Sequence, residues 1–112
     1  MITIEKLQEF GVDTKEGLTR CMNMEAFYFK MIKMGLSDGH FDSLGDSIAA
    51  GNLEEAFEAA HALKGVIGNL ALTPSYEPLA EMTELLRAKK EADYVTMYKP
   101  IKDMRDKLLA MC

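Results

Sequence analysis

Residues 52–72 read NLEEAFEAAHALKGVIGNLAL, and the spacing within this stretch decides the fold. Asn52 followed three positions later by Glu55 is a capping-box start, opening the longest helix of the chain, predicted over about residues 53–71. An α-helix turns about 100° per residue. With Ala60 as origin, Leu53, Ala56, Phe57, Leu63, Ile67 and Leu70 all fall within about 80° of it, a stripe to be buried. His61 lies at about 100°, at the edge of that stripe. Gly68 falls at about 80° and Gly65 at about 140°; Lys64, at about 40°, can snorkel its ammonium outward beside the histidine. Glycine inside a helix costs roughly 1 kcal/mol against alanine, so two of them three residues apart ask for a reason beyond stability. The missing side chains clear a notch beside the imidazole, and Lys64 sets a positive charge near it. An accessible imidazole, cleared space and an adjacent cation suit a histidine that accepts a phosphoryl group.

Outward from this helix, spacings of three and four recur along the whole chain, and period-two alternation is missing. Residues 3–10 form a short amphipathic piece ending at Gly11, and Asp13 with Glu16 caps a second short helix. Asn23 is a candidate cap for a helix with the stripe Met24, Phe27, Tyr28 and Met31, stopping near Gly35. LSDGHFDSL is a break, followed by a helix to Ala50 with Gly51 as its stop. LTPSYEP ends the central helix: Thr73 is a candidate cap and Pro74 suits a first turn, whereas Pro78 predicts an irregular or shifted start. Leu79, Met82, Leu85 and Leu86 form the next stripe, to about Lys90. Asp93 caps a last helix with Tyr94, Tyr98, Ile101, Met104 and Leu108 in phase, Arg105 as an exception, and a kink or break expected from Pro100. Similar helices with short connections predict an all-α fold, an antiparallel four-helix bundle with short additional N-terminal helices, as a single domain over residues 1–112.

The bulk numbers narrow the function classes. With 112 residues, 48% apolar and 28% charged, the chain suits one soluble domain and has no apolar run able to span a bilayer. A net charge of −5 argues against a nucleic-acid partner. Cys21 and Cys112 lack metal or disulfide spacing and read as free thiols. MITIEKLQEF carries Glu5 and Glu9 and does not resemble a secretory signal, so a cytoplasmic address is the expectation. Most of the nine methionines read as core filler, with some available to an adaptable binding surface.

The segment AHALKG resembles the HxLKG signature of histidine phosphotransfer (HPt) domains, helical relay modules of two-component signalling. The likeness extends over about residues 10–90. Residue by residue, it implies His61 as the phosphoacceptor, Lys64 as the phosphate-neighbouring cation and Gly65 as the space-making glycine; Gly68 is expected, from helix geometry alone, to clear the next turn. Val66, Ala71 and Pro78 depart from the family pattern, and Thr83 stands where some relatives place a glutamine facing the histidine. Glu58, one turn before His61, is a candidate to orient the ring.

The resemblance implies a phospho-carrier rather than a self-sufficient enzyme. Its partners are response-regulator receiver domains or a hybrid sensor histidine kinase. No cofactor or metal is expected on this chain, because no acidic cluster is spaced for Mg²⁺; the Mg²⁺ belongs to the partner receiver. A monomer is expected, and the initiating methionine favours a free-standing shuttle. Exposed apolar groups in the Phe41–Ile48 region are expected to contribute to docking. The competing reading is a non-phosphorylated helical adaptor that only binds receiver or kinase domains. A helical metal-binding bundle would need a second Glu-x-x-His besides Glu58–His61, and the chain has none. His40 has no assigned role.

Overall fold

The computed structural model describes residues 2–112 and contains seven helices among them, with no strand. These are α1 (Ile4–Glu9), α2 (Thr14–Arg20), α3 (Glu25–Leu36), α4 (His40–Ala50), α5 (Leu53–Asn69), α6 (Thr73–Arg87) and α7 (Tyr94–Met111). Helices α4 to α7 form the bundle, with α5 packed between α4 and α6, and α7 closing against α6 and α4. Their connections, Gly51–Asn52, Leu70–Leu72 and Ala88–Asp93, are short enough to make each helix run back along its predecessor. The molecule is elongated, 41 × 22 × 21 Å, as helices of this length laid side by side require.

Local chemistry sets most of the boundaries. The Asp13, Asn52 and Asp93 side chains each accept a hydrogen bond from the backbone N–H three residues on, at 3.1–3.2 Å. These bonds satisfy donors that helix starts leave open. Gly51 closes α4 at φ +73°, in the left-handed region that glycine enters without strain.

Four sequence expectations need correction. Asn23 does not open α3. It sits at φ +58°, donating its N–H to the Leu18 carbonyl at 2.7 Å, and so terminates α2, while Met24 takes the N-cap position without a side-chain bond. Thr73 does not cap α6; its hydroxyl donates to the Ala71 carbonyl, and Leu72 is the N-cap residue. Pro78 lies inside a helix already begun at Thr73, and Pro100 lies inside an unbroken α7. Each proline deprives one carbonyl of its partner, that of Pro74 and Thr96 respectively, and both of those residues are exposed, so water can serve.

The core runs as one cluster from Ile2 to Leu108. On α3 its stripe is Tyr28, Ile32 and Leu36, at helical spacing, rather than the expected one: Met31 is half-buried, and Met24 and Phe27 are exposed. Tyr28 donates its hydroxyl to the Leu70 carbonyl at 2.9 Å, and Tyr98 donates to the Phe41 carbonyl at 2.7 Å. Arg105, the exception in the α7 stripe, donates from Nε to the Leu36 carbonyl at 2.8 Å and lies over the Phe41 ring. The Phe41–Ile48 region is therefore no apolar docking surface. Phe41 and Leu44 are buried, and Ile48 is packed against the core. The exposed large apolar side chains lie elsewhere, at Met22, Met24, Phe27, Met34 and Val95.

Candidate functional site

Helix α5 carries the site because its two faces differ. Ala56, Ala59, Ala60, Leu63 and Ile67 are buried, fixing the rotation of the helix about its axis. That rotation leaves His61 exposed, at the edge of the stripe. The imidazole lies against the Phe57 ring, one turn earlier, with centroids 5.8 Å apart and planes inclined by 17°. Arg87 of α6 sets its guanidinium over the same Phe57 ring, 5.1 Å from its centroid, and its Nε lies 3.3 Å from Glu84. A stacked neighbour restricts the ring without using either nitrogen.

A groove of about 500 Å³ opens along this flank, between α2, α5 and α6. His61, Lys64, Gly65 and Gly68 all line it, so four residues singled out in the sequence come together here. Lys64 is half-buried, and no ion pair or hydrogen bond engages its ammonium. The glycines divide the work. A Cβ built on Gly65 meets nothing within 4 Å, so this position is open space, whereas one on Gly68 would stand 3.0 Å from the Tyr76 ring. Gly68 therefore admits Tyr76 of α6 close to α5, and the clearance expected there is filled by that ring.

Two further expectations fail. Glu58 is exposed, and no hydrogen bond or ion pair joins it to the imidazole, so the ring is oriented by Phe57 instead. Thr83 is fully buried and donates its hydroxyl to the Leu79 carbonyl at 2.7 Å, so its proton is committed within its own helix. Sequence reasoning placed Phe57 in the buried stripe; its spacing of four from His61 was the available signal for the stack. Arg20 and Tyr76 went unnoticed. They reach the groove from other helices, and nothing in local spacing announces that.

Arg20 occupies the end of the groove away from His61. It donates to Glu16 Oε1 at 2.7 Å and to Asn69 Oδ1 at 3.3 Å, linking α2 to the last residue of α5. Among the described residues, no group of three or more His, Cys, Asp or Glu is placed to hold a metal ion, and no helix is long and apolar enough to cross a membrane.

No curated protein and no solved structure matches the chain. A family model does: that of the Hpt domain matches residues 35–111, from the end of α3 through the whole four-helix bundle and including the groove's central helix. With a match over more than two thirds of its length, the chain belongs to the Hpt domain family, the phosphocarrier modules that work with receiver domains and histidine kinases in two-component phosphorelays.

Proposed function

We propose that the protein relays a phosphoryl group between aspartate-bearing receiver domains, with His61 as the phosphoacceptor. The observation that carries this reading is the exposed His61 imidazole, opening on a groove shared with the unpaired Lys64 ammonium and the cleared space at Gly65. The unprotonated ring nitrogen attacks the phosphorus of an aspartyl phosphate. An N–P bond forms, the P–O bond to the aspartate breaks, and the carboxylate leaves with the bonding pair. The other ring nitrogen keeps its proton. Transfer to a second receiver reverses these changes at a new aspartate.

Phosphoryl transfer depends chiefly on alignment and on neutralising charge at the equatorial oxygens. Phe57 supplies alignment by stacking on the ring, and Lys64 supplies charge. Gly65 lets the donor's backbone approach. Mg²⁺ belongs to the receiver on this reading, and the chain works as a monomeric carrier in the cytoplasm with no cofactor of its own.

The test mixes the protein with a receiver labelled on its aspartate and follows the label, alongside His61→Gln. Acid-labile, base-stable label on the native chain alone is the expected result. Equal labelling of the variant would sink the assignment.

A further inference from the structure

We propose that Arg20 is a second docking cation of the groove, reading a carboxylate on the receiver and so contributing to partner choice; this rests on the phosphorelay reading above. Arg20 lies on α2, outside the segment matched by the family model, yet it lines the same groove as His61 and Lys64. Glu16 and Asn69 each take one of its N–H groups, at 2.7 and 3.3 Å. A guanidinium has five donors, so three stay free while the fork is held in place. Its side chain is 46% exposed, open to a partner without being loose.

Distance separates its role from that of Lys64. Asn69, which Arg20 touches, lies eight residues beyond His61, roughly 12 Å along a helix axis. Arg20 therefore cannot neutralise a phosphoryl group on His61 and acts on docking alone. Between His61 and Asn69 along α5, Ile67 and the Tyr76 ring that packs at Gly68 give the groove an apolar stretch. The occupant that fits is a receiver segment with an acidic side chain at one end, the aspartyl phosphate at the other, and an apolar side chain between them. Arg20 and Lys64 outnumber the one carboxylate that shares the groove, that of Glu16, and in a chain of net charge −5 this small local excess of positive charge favours an anionic partner.

The experiment measures single-turnover transfer from a phosphorylated receiver over a concentration series, for wild type, R20A, R20Q and His61→Gln, with phosphoramidate as a small phosphodonor in parallel. R20Q removes the charge but keeps a donor for Asn69, so it stands in if R20A fails to fold. Both variants are expected to raise the half-saturating receiver concentration about threefold to fivefold, with the saturating rate unchanged and the difference shrinking in high salt. Phosphoramidate labelling should equal wild type. Unchanged half-saturation in R20Q overturns the inference, as does an equal loss with both phosphodonors. Failure of the phosphorelay reading looks different: His61→Gln takes label like wild type, or wild type takes none from any receiver.

Discussion

A methyl group added at Gly65 meets nothing, whereas one added at Gly68 meets Tyr76. The two positions should therefore answer the same substitution differently. Gly65→Ala removes a helix-interior glycine at no packing cost, so it should raise stability by about 0.5–1 kcal/mol while slowing phosphoryl transfer from a receiver. Gly68→Ala, which must displace the Tyr76 ring by a few tenths of an ångström, should be less stable than Gly65→Ala. Thermal melts and transfer rates on the pair would check both statements. Phe57→Leu keeps apolar bulk and loses both the stack on His61 and the Arg87 contact, so it should lower the saturating transfer rate and cost about 0.5–1 kcal/mol in the melt. His61, Lys64 and Gly65 were legible in the sequence because all lie on one helix, where angular spacing converts directly into position. Thr83 was not, because whether a threonine on a facing helix offers its hydroxyl outward or to its own backbone depends on burial, which spacing alone does not fix.

At the scale of elements, the caps at Asp13, Asn52 and Asp93 could be read directly, since each needs only a side chain three residues from an N–H.

 Asp93, the last of these, also accepts from the Thr96 hydroxyl at 2.7 Å. Asn23 misled because asparagine serves equally as an N-cap and as a left-handed residue closing the helix before it, and the tertiary path chose the second. The prolines misled for another reason. A helix-interior proline is costly, but the cost is bearable where the freed carbonyl faces water and the helix is packed along its other side. In α7 that penalty is still present, so Pro100→Ala, which restores a donor for Thr96 at an exposed position, should raise stability by about 1–2 kcal/mol in denaturant titrations. The Phe41–Ile48 region is no docking surface because Arg105 and Tyr98 of α7, both distant in sequence, reach back onto Phe41, a contact that local spacing does not announce.

Over the whole molecule, two buried tyrosine hydroxyls join segments far apart in the chain, Tyr28 to Leu70 and Tyr98 to Phe41. Burial pushes both phenols up, that of Tyr28 to about 12, with the charges of Cys21 and Asp13 adding to the effect. A phenol whose folded pKa is raised holds its proton more tightly in the native state. Its contribution is complete below its unfolded value of 10.0 and is lost as pH rises through about 12. Stability should therefore fall steeply across that alkaline window, as followed by helical circular dichroism. Tyr28→Phe should cost about 1 kcal/mol at neutral pH and make the alkaline decline shallower.

His61 lies on one exposed flank of α5, in a groove walled by α2 and α6. On the phosphorelay reading proposed above, the domain that loads the imidazole and the domain that unloads it approach through this one groove, and so must take turns. Traffic through such a relay is sequential, and an excess of either visitor in its empty form blocks the other. Throughput then peaks when the two are balanced, a limit set by crowding at one doorway rather than by the chemistry inside it.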